Sequence, residues 1–283
     1  MTKNIKTRDD IERRPIGDLI RFDSFDQWID SLPEFPIGAA GRISDEGGWY
    51  GTATYDDAIR YARNGWTGIR PTVDAMMDKI RDRIADRTSN NYEMIYDVCG
   101  SFVDVGAFLS GEPECMIDPR PTPTRQGGKV IRIHYNTGGL GGATAECMTA
   151  RGVAVLALID ALTMLGASTE VTVETSAHYG GGTITAMGKV KEAHEPLDVN
   201  RLTFILGNPA MHRRINWATR AAFGLNGCRD GGAAGSCRIT MADEVAADVI
   251  VAKDHSVDDA IVADPEGWIL RTLEGLGFDV KPD

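Results

Sequence analysis

The stretch KVIRIHYNTGGLGGATAECMTARGVAVLALIDALTMLGASTEVTVETS, residues 129–176, limits the possible folds more than any other part of the chain. Val130–Tyr135 is a β-branched run that predicts a strand. Gly138–Gly142 predicts a tight loop. Residues 144–166 predict a long helix ending at Gly166. The middle of that helix, VAVLALIDAL, is apolar nearly all round, so it must pack on a sheet. TEVTVETS then reads as a second strand. Strand, loop, buried helix and strand make one βαβ unit, and such units build a mostly parallel sheet covered by helices.

The same alternation continues downstream. GTITAMGKVK predicts a third strand, at an edge because its apolar and polar residues alternate. Residues 198–224 predict a second helical region, interrupted near Gly207–Pro209. ADVIVAKD (247–254) predicts a compact strand. DPEGWILRTLEGLGFDV predicts a last helix with Pro265 near its first turn and a short closing strand. Upstream, PRPTPTRQGG (119–128) reads as a linker. The expected organisation is therefore an irregular α+β region over 1–127 and an α/β domain over 128–283.

Within the first region, residues 1–45 read as peripheral apart from a short amphipathic helix in FDSFDQWIDSL. Two further helices follow. One is capped by Thr54 and stopped by Gly65; the other lies in RPTVDAMMDKIRDRIADRT, whose alternating charges suit a solvated outer face. Residues 93–119 crowd Asp97, Asp104, Glu112, Glu114 and Asp118. They lack the Asp-x-Asp-x-Asp-Gly ladder of a calcium loop, so short strands joined by a surface loop are the expectation.

A net charge of −11 opposes a broad basic face, so nucleic acid is not expected as a partner. The N-terminus MTKNIKTRDDIERR has no apolar signal core, and no membrane span is expected. The five cysteines are scattered without a C-x-x-C pair, which fits free thiols in a reducing compartment better than a disulfide framework. Cys228 and Cys237 flank a Gly-Gly turn that suits a mobile loop.

The loop Asn136–Thr144 sits where open α/β sheets bind ligands, at the carboxyl end of a strand. Three readings compete. Gly139, Gly141 and Thr144 give G-x-G-x-x-T, one glycine short of a dinucleotide fingerprint. Glu174 stands near the end of the next strand, where a ribose-binding acid would be. This supports an alternative in which the chain is a nucleotide- or phosphate-binding enzyme using residues 138–142. A metal loop is the second reading, and a structural corner that lets the helix start close to the sheet is the third.

Strand, loop and long helix with later alternation resemble a von Willebrand factor A-type domain over residues 129–283. In that family the first strand ends in D-x-S-x-S, which holds Mg²⁺. Here the matching residues are N-T-G-G-L, starting at Asn136, with Gly138 and Leu140 in place of hydroxyls. Asp254 matches the family's last aspartate. The resemblance implies a Rossmann-type three-layer scaffold with an eroded metal site, so no cofactor is expected beyond weak Mg²⁺ binding. The order WYGTATYDDAIRYARNGW, GEPECM, RGVAVLALIDAL, LGNPAMHRRINWA also resembles uncharacterised proteins of tailed bacteriophages and prophages. This implies a setting in the bacterial cytoplasm or in the virion.

Two more groups of residues have a chemical reading. His212, Arg213, Arg214 and Arg220, with Trp217, form a basic patch that could grip a phosphate or carboxylate; the alternative is a helix whose cations are paired. Glu174, Ser176 and His178 have the residue types of a hydrolase triad, but alternate positions of one strand do not give triad geometry and no G-x-S-x-G elbow occurs. The leading expectation is a non-enzymatic binding or assembly protein. It would use Asn136, Thr137, Gly139, Gly141, Thr144, His178 and Asp254 at the top of the sheet, with a phage or host protein as partner. A structural virion component that self-associates is a further alternative.

Overall fold

The computed structural model describes residues 5–14, 17–34, 48–88, 92–121, 128–137, 143–179, 182–223, 245–251, 260–278 and 280. The chain is α/β, with a mostly parallel five-stranded sheet flanked by helices. Its strands are β1 (Asp18–Phe22), β5 (Val130–Asn136), β6 (Ser168–Tyr179), β7 (Gly182–Lys191) and β8 (Val249–Val251), in the order β1-β7-β6-β5-β8. The pairs β5–β6, β5–β8 and β1–β7 are parallel, and the hairpin β6–β7 is antiparallel. A second sheet, β2 (Tyr92–Asp97), β4 (Met116–Pro121) and β3 (Phe102–Val103), is antiparallel in the order β2-β4-β3.

The helix signals in the sequence have direct counterparts. α1 spans Phe25–Asp30 and α2 spans Tyr55–Asn64. Thr54 caps α2 by accepting a hydrogen bond from the Asp57 N–H at 3.0 Å, and Gly65 stops it at φ +83°. α3 covers Arg70–Thr88 and α4 covers Val105–Leu109. α5, Ala145–Met164, is capped by Thr144, whose hydroxyl accepts from the Cys147 N–H at 3.2 Å.

The second helical region comprises α6 (Val199–Leu202), a π-helical segment Thr203–Gly207, a second one Met211–Asn216, and α7 (Trp217–Phe223). The interruption falls at Asn208–Pro209, where proline removes a backbone donor. α8 (Ala260–Ala263) and α9 (Pro265–Gly275) complete the described helices.

Register assigns the faces of the main sheet, because alternate residues point the same way. Ile133, Tyr135, Val171, Val173, Ala186, Ile20 and Phe22 share one apolar face. α5 lies on it: Arg151 stands 5.8 Å from the Tyr135 ring centroid, and the Tyr135 hydroxyl donates to the Leu206 carbonyl at 3.0 Å. α1 lies there too, with Trp28 stacked on Phe22 at 5.0 Å and its indole N–H donating to Thr219. α5 runs so close to the first π-helical segment that a Cβ on Gly152 would stand 2.3 Å from the Gly207 Cα. Glycine is therefore required at 152 by contact. By length and composition α5 could cross a bilayer, but it is buried against protein.

Three expectations are corrected. Residues 1–45 are not all peripheral: β1 forms one edge of the main sheet, with Leu19 and Ile20 fully buried. β7 is therefore an inner strand, and its polar alternation reflects a polar second face of the sheet. Finally, 119–128 is not all linker, because Pro119–Pro121 belong to β4. The hydrophobic core also runs across the boundary at 127/128, joining Trp28, Tyr55, Val73, Met77 and Ile80 to Ile133, α5 and α9. Beyond α9, Phe278 and Val280 are buried but form no strand among the described residues.

Candidate functional site

Two places carry unusual chemistry: the polar end of the main sheet and the outer face of the small sheet. At the first, pairing sets Asn136 beside Glu174 and His134 beside Thr172, all on the face opposite α5. His134, Asn136 and Glu174 are 0–1% exposed. The Asn136 amide donates to Glu174 Oε1 at 2.6 Å, and His134 Nε2 lies 3.0 Å from Glu174 Oε2. The Thr137 N–H and hydroxyl both donate to the Glu174 carbonyl, and Asn216 donates to the Thr137 hydroxyl at 2.8 Å. Ser176 is bonded to the Thr185 hydroxyl at 3.0 Å.

This arrangement is a polar knot inside the protein. The imidazole and carboxylate are placed as a base and its orienting acid, but the Ser176 hydroxyl is engaged with Thr185. Glu174 is turned inward, so it does not wait at the strand end for a ribose. Asn136 and Thr137, expected on a docking surface, are 1% and 4% exposed and face the interior. Thr144 is the α5 cap. The His178 side chain, Gly139, Gly141 and Asp254 lie outside what is described, as do Cys228 and Cys237. Cys99, Cys115 and Cys147 are free thiols. No group of three or more His, Cys, Asp or Glu that could hold a metal occurs among the described residues.

The basic patch is likewise internal. His212, Arg213 and Arg214 on the second π-helical segment and Arg220 on α7 are 0–7% exposed. Arg214 lies over the Tyr50 ring at 4.5 Å and donates to the Thr52 and Ala53 carbonyls at 2.8 and 2.9 Å. Arg213 lies over Trp49 at 4.0 Å and donates to the Trp49 and Ala143 carbonyls. Arg220 reaches the Ser176 carbonyl. Through these carbonyls the cations fasten the Trp49–Ala53 segment and the start of α5 to the second helical region. A cleft of about 400 Å³ between Thr52, Trp66, Thr149 and Pro209 opens beside them.

The small sheet is the reverse: its apolar side faces water. Cross-strand partners share a face, so Met94 with Pro119, and Tyr96 and Phe102 with Ile117, form one continuous apolar side. Met94, Tyr96 and Phe102 are 59%, 48% and 63% exposed. Val105, Phe108 and Leu109, at helical spacing on α4, are 63%, 62% and 79% exposed. Of thirteen exposed large apolar residues among those described, eight fall between 94 and 109. Scattered apolar residues are ordinary on a surface; so many in one short stretch are not.

The module is also well built. Asp104 caps α4 by accepting from the Gly106 and Ala107 N–H groups at 2.9 and 3.1 Å, and it accepts from the Tyr96 hydroxyl at 3.2 Å. The Ala107 N–H bond first, with Tyr96, holds the Asp104 carboxyl below its usual range, and the same contact raises the Tyr96 phenol. The short strands expected here are present as β2, β3 and β4, but the sequence did not single out their exposed apolar residues. The available signal was the run of large apolar residues from Val98 to Leu109, set among turn residues.

A family model described as "Domain of unknown function (DUF7192)" matches residues 15–258. The chain belongs to this family. The match begins ahead of β1 and spans both sheets, so the small sheet lies within the DUF7192 region. No curated protein and no solved structure matches the chain.

Proposed function

We propose that this DUF7192 chain is a non-enzymatic protein-binding or assembly protein that docks its partner through the exposed apolar face of residues 92–121. The observation that carries the reading is the concentration of exposed apolar side chains there: Met94, Tyr96 and Phe102 on one side of the small sheet, and Val105, Phe108 and Leu109 on α4. Among the described residues at the polar end of the main sheet, Asn136, Thr137 and Glu174 are buried against one another.

The scaffold is read as von Willebrand A-like. Counted from β5, the neighbours β7-β6-β5-β8 stand third, second, first and fourth, the order of doubly wound sheets, with the third strand antiparallel to the second. The bacteriophage or prophage setting, in the host cytoplasm or the virion, rests on the sequence resemblance alone.

The test is affinity capture from native or infected cells, comparing the wild-type chain with Phe102→Asp/Phe108→Asp by quantitative mass spectrometry. Both side chains are more than half exposed, so the variant's melting temperature should match wild type. The reading expects a partner that is enriched on the wild type and lost from the variant. Identical captured sets would overturn it.

A further inference from the structure

We infer that the partner presents a basic, amphipathic protein segment to the 92–121 face; this rests on the binding reading above. Residues 92–121 contain six acidic residues and one basic residue, so thirty residues carry −5 of the chain's −11. Asp97 and Asp118 lie on the side of the small sheet away from Met94, Tyr96 and Phe102, and Glu112 and Glu114 lie in the turn that leads into β4. Asp97 follows Tyr96 and Asp118 follows Ile117, one strand step of about 3.4 Å and well inside the ~8 Å screening length at physiological salt. These carboxylates therefore act on whatever covers the apolar side. Asp104 is engaged as the α4 cap, whereas Asp97, Glu112 and Glu114 form no ion pair among the described residues.

Charge decides between occupants. A second copy would set −5 against −5, and anionic lipid or nucleic acid would be repelled in the same way. A segment with apolar side chains separated by Lys or Arg fits both features. Its apolar groups cover Met94, Tyr96, Phe102 and Phe108, while the aliphatic stems of the cations lie over the edge and their heads reach the carboxylates. β2 pairs only with β4 among the described strands, so its outer edge can add main-chain hydrogen bonds to such a segment.

Two short fluorescent peptides with the same apolar residues, one with lysines between them and one with glutamates, distinguish the possibilities when titrated against the full chain by anisotropy. The lysine peptide is expected to bind roughly tenfold or more tighter than the glutamate peptide, a difference of about 1.4 kcal/mol. Its binding should weaken several-fold at high salt and on Asp97→Asn/Glu112→Gln/Glu114→Gln, and should disappear on Phe102→Asp/Phe108→Asp. Circular dichroism checks that each variant is folded. Equal binding of the two peptides, lost on Phe102→Asp/Phe108→Asp, would overturn the charge claim and leave the binding reading standing. Binding of neither peptide would also overturn it. So would phosphatidylglycerol vesicles, or a dimer seen by light scattering, released by the same substitutions. The binding reading itself fails only in the capture experiment.

Discussion

Glu174 shows what a single residue does here. Its carboxylate is fully buried, takes the Asn136 amide at 2.6 Å and faces His134 at 3.0 Å. Removing one partner of a buried pair strands the other in a poorly solvated place, which typically costs about 3–5 kcal/mol. Glu174→Ala is therefore expected to lower the unfolding free energy by about 3 kcal/mol, and His134→Ala/Glu174→Ala by less than the sum of the single changes. Urea titrations monitored by circular dichroism measure this. A stabilised Glu174→Ala would instead mark the carboxylate as strained for function. Sequence alone could not pair these residues. Asn136 and Glu174 are 38 positions apart, and only the β5–β6 register brings them together. The same limit applies to His212, Arg213, Arg214 and Arg220: spacing locates them on one helical region, but the carbonyls that accept from the arginines lie elsewhere in the chain.

At the scale of elements, local chemistry was legible and distant pairing was not. Thr54 with Gly65, and Thr144 with the apolar run that follows, mark α2 and α5 because caps and stops act on adjacent residues. β1 has only five residues, and its partners in β7 lie 166 positions away, so nothing local announces it. The alternation in β7 made it look like an edge, whereas β1 lies beyond it. α3 and α9 are joined by Glu266, which pairs with Lys79 and with Arg83 at 2.8 Å. The Lys79 contact first, then Arg83, holds the Glu266 carboxyl below its ordinary value of 4.5. A depressed carboxyl stabilises the fold above its unfolded pKa and loses that contribution as pH falls through the folded one. The partners are largely exposed, so the contribution at neutral pH is below about 1 kcal/mol. Glu266→Gln should lower the melting temperature by a few degrees at most at pH 7, and the gap from wild type should close as pH falls below 4.5. Thermal melts across that range check it; a constant gap would mean the carboxylate is not the cause.

For the whole molecule, the alternation of strands and helices after residue 129 was enough to read an α/β fold with a mostly parallel sheet. It did not reveal that β1, α1, α2 and α3 share its core. The exposed apolar residues were hidden for a different reason: exposure is a property of the assembled chain, and an apolar run such as Phe102–Leu109 reads the same whether it ends up buried or bare. The central claim is that recognition takes place on the small antiparallel sheet and not at the carboxyl ends of the main strands. Hydrogen–deuterium exchange of the full chain, with and without the partner it captures, tests this most directly. Slowed exchange confined to residues 92–121, with 136–144 unchanged, is the expected result. Slowing at 136–144 and 252–259 with 92–121 unchanged would contradict it.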